Sequence, residues 1–131
     1  MGRVHHARFL EYLEMGRVDL MKKSGISYRE LEERGVFFPV LEVWVRYRNA
    51  ITFDDELELA TWYREVTRTR VTFAYRLLAP SRELAAEALT LHAQITGDGR
   101  PVPLDERVLA VARPLVTPED LSRSRLSGLR R

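Results

Sequence analysis

The sequence predicts a single domain of the α+β class, in which one long helix packs against an antiparallel β-sheet. Apolar residues recur at helical spacing in the first part of the chain, and in four later segments they alternate with polar residues. The connectors between those later segments are short, as in sheets whose strands run antiparallel. The helix and the sheet each carry a broad apolar face, so we expect the sheet to curl around the helix.

The first element is a helix predicted from Ala7 to Lys23, with Gly25 as its stop. A second, short helix is predicted to begin after Ser27, because Glu30 follows this N-cap three residues later, as in a capping box. Gly35 ends this second helix. The apolar face of the first helix is formed by Phe9, Leu10, Leu13, Leu20 and Met21.

Four alternating segments are predicted to be strands: VLEVWVRYR (residues 40–48), ELELATWYREV (56–66), RVTFAYRL (70–77) and AAEALTLHAQI (85–95). Their short connectors predict a meander, in which strands that follow each other in sequence pair with each other. Trp44 and Trp62 fall on the face of the sheet that the helix does not cover. That face carries more apolar surface than a solvated face needs, which indicates contact with a partner subunit.

The end of the chain is predicted to contain a small helix from Leu104 to Ala112, after which Pro114 and Pro118 break regular structure. We therefore assign residues 1–112 to the domain and residues 113–131 to a basic tail. A basic tail can contact nucleic acid or membrane, but a solvated chain end is the simpler interpretation. No nucleic-acid-binding motif accompanies it, so no nucleic-acid partner is predicted.

The composition excludes several kinds of chemistry. The chain has no cysteine, which rules out disulfides, thiol nucleophiles and cysteine metal sites. His5 and His6 are adjacent and cannot share one helical face, and no cluster of acids accompanies the histidines, so we predict no metal site. His92 lies in the middle of a strand, where a structural role is expected. Without a signal peptide or an apolar run long enough to span a membrane, the chain is expected to be soluble and cytoplasmic.

The first forty residues, MGRVHHARFLEYLEMGRVDLMKKSGISYRELEERGVFFPV, resemble the hot-dog-fold acyl-CoA thioesterases. The resemblance is to the branch that contains 4-hydroxybenzoyl-CoA thioesterase and the small bacterial thioesterases of the Tol–Pal envelope system, and it extends to about Ala112. The signature of this branch is D-x-x-G-x-V-[YHW]-[HY]-x-x-[YF], followed by an E-x-x-R helix and a G-[IL]-x-[YF] step. The matching positions here are Gly2, Val4, His5, His6, Phe9, Glu14, Arg17, Gly25, Ile26 and Tyr28.

The resemblance implies a hydrolase that releases a carboxylic acid and free CoA, with no cofactor, because CoA is part of the substrate. It gives the backbone amide of His6 the role of oxyanion donor, with a second role open to its imidazole, and it makes His5 and Phe9 substrate-binding residues. The family's catalytic aspartate aligns three residues before Gly2, so the chain is expected to start inside the signature loop. The family's first strand would then also be missing.

The resemblance also implies a site for the phosphates of CoA at Arg68, Thr69 and Arg70, where the family carries polar and basic residues. Arginine suits phosphate because its planar guanidinium offers paired donors. Ordinary solvated charges on a hairpin explain these residues equally well. The expected assembly is a homodimer or a dimer of dimers, with the arginines of one subunit facing His6 of the other.

Two alternatives to the enzyme remain at this point. The first is a non-catalytic acyl-CoA-binding module of the same fold, which the missing aspartate favours; the second is a nucleic-acid or envelope partner that binds through the basic tail. The 131-residue chain is accordingly expected to bind acyl-CoA but to hydrolyse it weakly, unless His6 or Glu14 supplies the base. An upstream segment that carries the acid is expected to restore turnover.

Overall fold

The computed structural model describes residues 6–48, 57–81 and 83–117, and it contains the helices and strands that the sequence predicts. Their bounds differ from the predicted ones by at most about two residues, as expected where only the end of an element is in doubt. The elements are α1 (His6–Lys23), α2 (Tyr28–Glu33), β1 (Val40–Tyr47), β2 (Glu58–Val66), β3 (Arg70–Leu78), β4 (Leu84–Ile95), β5 (Pro101–Val102), α3 (Glu106–Ala112) and a 3₁₀ helix (Arg113–Leu115).

The sheet is antiparallel throughout, and its main strands lie in the order β1-β4-β3-β2, with β5 paired to the end of β4. The predicted meander is confirmed for β2, β3 and β4. It is wrong for β1, which pairs with β4 instead of β2. β4 is buried along most of its 12 residues, and it pairs with β1 along one edge and with β3 along the other. The predicted connector at residues 53–55 lies outside the described residues.

Helix α1 packs across one face of the sheet, which we call the inner face, and this confirms the predicted apolar stripe except at Leu10, which is 47% exposed, while Leu20 is partly buried. Phe9, Leu13 and Met21 are buried there. The helix packs tightly on β2 at Gly16, where an added Cβ would meet the Thr61 hydroxyl and would lie 2.7 Å from Leu59 Cδ2. Only glycine allows the helix and the strand to come this close.

The opposite face of the sheet, which we call the outer face, carries both tryptophans, as predicted. Trp44 and Trp62 cover a small apolar cluster whose buried members are Ala74, Leu89 and Leu91. The face also holds an ion pair, since Arg48 Nη2 lies 2.9 Å from the Oε1 atom of Glu87, whose side chain is only 4% exposed. The sheet therefore buries apolar surface on both faces.

The segment after α3 stays on the domain for a few residues. Val116 packs against the main core, and the Thr117 amide donates to the Tyr63 carbonyl at 2.8 Å, along the outer edge of β2. Residues 118–131 lie outside the described part of the chain, so the basic tail stays a prediction. None of the helices in the described part is both long and apolar enough to cross a membrane.

Candidate active site

Helix α1 begins at His6, the residue whose backbone amide was predicted to stabilise an oxyanion. The amides of the first helical turn have no partner within the helix. They also lie at the positive end of the helix dipole, which here belongs to a helix of 18 residues. A developing negative charge would be stabilised at this end of the helix, and the oxyanion role of the His6 amide stays a prediction. His5 lies outside the described residues.

Phe9, predicted to bind substrate, lies one turn after His6 and points into the core. It is 1% exposed, and its ring centroid lies 5.2 Å from that of Tyr47 at the end of β1. Tyr47 is 42% exposed. Tyr47 therefore offers accessible aromatic surface beside the buried Phe9, although the sequence pattern predicts no binding role for it.

The predicted phosphate-binding residues lie in the turn between β2 and β3. The Thr67 hydroxyl accepts from the amides of Thr69 and Arg70, at 3.3 and 3.0 Å, which fixes the turn. The side chains of Arg68, Thr69 and Arg70 are exposed. Arg68 and Arg70 thus lie on an ordered and accessible turn, as binding of an anionic group requires.

Within one chain, the arginine turn and the start of α1 lie at opposite ends of the sheet. Tyr47, which Phe9 contacts, is in register with Ala86, and Ala86 is in register with Leu77 on β3. Leu77 is seven residues from Arg70 along this strand, a separation of about 23 Å. The structure therefore does not bring His6 and the two arginines together in a single chain.

Four polar side chains meet beneath α1 and were not recognised from the sequence as a group. Arg17 Nη1 lies 3.2 Å from the Tyr75 hydroxyl, which lies 2.6 Å from Thr90 Oγ1. Thr90 Oγ1 lies 2.9 Å from His92 Nε2. All four residues are at most 7% exposed. A signal for Arg17 was present, since Phe9, Leu13, Arg17 and Met21 follow each other at intervals of four on the buried stripe of the helix.

The predicted structural role of His92 is confirmed by its surroundings. The ring is fully buried, with Nδ1 3.3 Å from the Phe38 carbonyl oxygen. Burial, reinforced by the positive charge of Arg17, lowers the pKa of His92 from 6.5 to about 3. The side chain is therefore neutral at physiological pH. Elsewhere in the described ranges, no three histidine, aspartate or glutamate side chains converge as metal ligands would.

Comparison with known proteins identifies relatives by sequence and by structure, among them two that are named as CoA thioesterases. The family model of the thioesterase-like superfamily matches residues 1–112. An acyl-CoA thioesterase of Haemophilus influenzae, YbgC, is 27% identical over 110 residues, which cover 83% of this chain and 81% of that protein. The crystal structure of TT1821 from Thermus thermophilus is 34% identical with a TM-score of 0.81, over 88% of both chains. The DHNA-CoA thioesterase of Staphylococcus aureus is 29% identical with a TM-score of 0.76, over 80% of this chain and 71% of that one.

Proposed function

This chain belongs to the thioesterase-like superfamily and has the hot-dog fold, and on that premise we propose that it hydrolyses an acyl-CoA thioester to a carboxylic acid and free CoA. The observation that carries the proposal is the start of α1 at His6, inside the region matched by the family model. The relatives named as thioesterases and thioester hydrolases support hydrolysis and do not favour the non-catalytic alternative.

The proposed chemistry follows from where charge develops. Attack of water on the thioester carbonyl forms a C–O bond and leaves negative charge on the carbonyl oxygen, which the His6 amide and the positive end of α1 stabilise. The C–S bond then breaks, and CoA leaves as a thiolate that takes up a proton. The resemblance gives removal of the proton from water to the family aspartate, which aligns three residues before Gly2, and such assistance is typically worth ~10²–10⁴-fold.

We also propose that the functional unit is a homodimer, with Arg68 and Arg70 of one subunit binding the phosphates of CoA whose acyl group lies at His6 of the other. The large separation between the turn and the start of α1 within one chain supports this arrangement. In the described sheet, β1 is an edge strand whose inner-face residues Val43 and Tyr47 are more than 40% exposed. An exposed apolar edge strand next to the site is suited to pair with a second copy.

Replacement of His6 by proline tests the amide directly. Proline has no N–H but is tolerated in the first turn of a helix, so His6→Pro removes the proposed donor without breaking α1. Loss of one oxyanion donor is expected to lower kcat by ~10²–10³-fold. His6→Ala keeps the donor and removes the imidazole, so a much smaller loss is expected. Because the chain contains no cysteine, hydrolysis can be followed through the thiol of released CoA without background from the protein.

Equal loss in the two variants would show that the imidazole acts instead of the amide. No thiol release from a panel of acyl-CoA and aryl-CoA substrates, even when an upstream segment with the family aspartate is present, would refute hydrolysis. Binding measured calorimetrically in that case would revive the non-catalytic module.

Mixed dimers test the shared site. Arg68→Ala/Arg70→Ala is expected to raise the KM for acyl-CoA while leaving hydrolysis of a short thioester without the nucleotide unchanged. Co-expression of His6→Pro subunits with Arg68→Ala/Arg70→Ala subunits should restore part of the activity, because each mixed dimer contains one intact site. If mixing restores nothing although mixed dimers form, each site lies within one subunit.

The finer assignments stay proposals. Matches at the signature positions around His5, His6 and Phe9 support the branch that contains 4-hydroxybenzoyl-CoA thioesterase and the Tol–Pal-associated enzymes. We also propose a cytoplasmic location and, as a second possible assembly, a dimer of dimers. Separation of cell fractions and light scattering of the purified protein test these two points.

A further inference from the structure

A chain of hydrogen bonds links α1 to the sheet beneath it and continues to the segment that precedes β1. We propose that its members, Arg17, Tyr75, Thr90 and His92, are positioning residues that fix α1 on the sheet and thereby hold the His6 amide in place. This inference rests on the hydrolytic function proposed above. According to this inference, hydrogen bonds fix the position of α1 on the sheet in addition to apolar packing.

The groups at the two ends of this hydrogen-bond chain determine the direction in which its protons are donated. Arg17 can only donate, and the Phe38 carbonyl can only accept. Because the ring of His92 is neutral and one nitrogen faces this carbonyl at 3.3 Å, Nδ1 carries the proton. Nε2 is then an acceptor, so the Thr90 hydroxyl donates to it at 2.9 Å.

The remaining hydroxyl protons follow from that assignment. Thr90 Oγ1 must accept from the Tyr75 hydroxyl at 2.6 Å, and the Tyr75 oxygen accepts from Arg17 Nη1 at 3.2 Å. Every donation therefore points from α1 across β3 and β4 towards the Phe38 carbonyl. A hydrogen-bond chain whose donors and acceptors are all assigned allows only one arrangement of its side chains. Apolar surfaces, in contrast, can slide over each other.

The charges around the chain fit an alignment role better than a purely stabilising one. Among the described residues, no carboxylate forms an ion pair with Arg17, whose guanidinium interacts with the hydroxyls of Tyr75 and Tyr28. Its Nε atom is buried and has no hydrogen-bond partner in the described part of the protein. Burying a guanidinium in this way costs free energy that an apolar side chain would not cost. Stability alone therefore gives no reason to have an arginine at this position.

The position of Arg17 along α1 makes the alignment relevant to catalysis. His6 precedes Arg17 by eleven residues, or about 16 Å of helix. Over this length a tilt of about 4° displaces the His6 amide by about 1 Å, and a misplacement of 1 Å can lower a rate by ~10²-fold. Gly16, which packs on Leu59 and Thr61 of β2, lies next to Arg17, so the helix is held against two neighbouring strands at the same level.

The direction of the chain can be tested on the wild-type protein without an activity assay. Long-range ¹H–¹⁵N correlation spectra distinguish the two neutral forms of an imidazole. We expect His92 to carry its proton on Nδ1 and to stay neutral to below pH 4. A proton on Nε2, or titration near neutral pH, would overturn the proposed direction even if the protein hydrolyses acyl-CoA.

The positioning role is tested by removing single hydroxyl groups. Thr90→Val and Tyr75→Phe interrupt the chain with little change of shape, and each is expected to lower kcat about tenfold while KM for acyl-CoA changes less than twofold. Thr90→Ser keeps the hydroxyl and should restore kcat. Thr72→Val is the matched control, because Thr72 is a buried threonine on the outer face, in register with Leu91, on the side of the sheet away from α1.

A readout at the start of α1 separates this inference from the proposed function. The amide resonances of the first turn should shift in Thr90→Val and Tyr75→Phe but not in Thr72→Val, whether or not the wild type hydrolyses any substrate tested. If folded Thr90→Val shows unchanged amide resonances and unchanged kcat, the chain is only structural and the inference is wrong. If Thr90→Val does not fold, Tyr75→Phe decides the same question.

Discussion

The two faces of β4 bury polar groups in different ways. On the inner face, Thr90 and His92 take part in a chain of hydrogen bonds that ends on a backbone carbonyl, beneath a helix. On the outer face, Glu87 is paired with Arg48, whose side chain is 34% exposed. On the inner face a buried cation, Arg17, is therefore bound by neutral groups, whereas on the outer face opposite charges pair where one partner still reaches solvent. The inner face should respond to protons and the outer face to salt.

The largest expected effect is acid destabilisation through the inner face. Because the pKa of His92 is about 3 in the folded protein and 6.5 as its ordinary value, the unfolded chain binds the extra proton between these pH values. The stabilisation is fully present above pH 6.5 and is lost as the pH falls towards 3. The free energy of unfolding should decrease by about 1.4 kcal/mol per pH unit from this group, roughly 4 kcal/mol in total.

Urea unfolding at a series of pH values measures this effect, with His92→Gln as the control. Glutamine cannot titrate. In His92→Gln, the free energy of unfolding should therefore depend less steeply on pH between pH 6.5 and 3, because unfolding takes up one proton fewer. An unchanged slope would mean that His92 is not the group that takes up the proton.

A smaller effect is expected from the charge on the outer face. Glu87→Gln keeps the shape of the side chain but removes the anion that faces Arg48 at 2.9 Å. We expect a loss of about 1–2 kcal/mol, below the 3–5 kcal/mol of a fully buried pair, because Arg48 can turn to solvent.

A double-mutant cycle with Arg48→Gln isolates this interaction. The coupling should fall in 1 M NaCl, where the Debye length is about 3 Å, whereas the cost of Thr90→Val should not change with salt. Coupling that survives high salt would remove the distinction between the two faces.

The smallest effect is expected where a cation lies over an aromatic ring. The Arg76 guanidinium lies 5.4 Å from the ring centroid of Trp62 on the outer face. Arg76→Gln should cost about 0.5–1 kcal/mol in urea unfolding, the usual range for an exposed cation–π pair. A loss above 2 kcal/mol would show that the other interactions of Arg76 dominate.

The elements of the fold were predictable because their patterns are local. The alternation in residues 40–48 and 70–77 defines strands whatever they pair with, and the spacing of Phe9, Leu13 and Met21 defines the buried side of α1. Pairing of β1 with β4 depends on contacts between residues 39 to 52 positions apart. Short connectors say nothing about such contacts, so the strand order was wrong on this side of the sheet.

The site was predictable only in part. Placement of the His6 amide at the start of α1 follows from the helical pattern together with the resemblance, but the distance from Arg68 and Arg70 needs the strand register. The hydrogen-bond chain that starts at Arg17 was not predicted, because an arginine in an amphipathic helix usually faces solvent. Here tertiary packing buries the Arg17 side chain. His92 could be assigned a structural role because a lone histidine in a strand usually has one.

The placement of both tryptophans on one face gives the protein an intrinsic optical reporter. Trp44 and Trp62 are the only tryptophans of the chain, and both contact the cluster on the outer face. Indole emission depends on the polarity around the ring, so it will report whether another surface covers this face. Tryptophan emission will not report on the inner face, which carries the helix and the hydrogen-bond chain. Changes there must be followed by tyrosine or histidine signals instead.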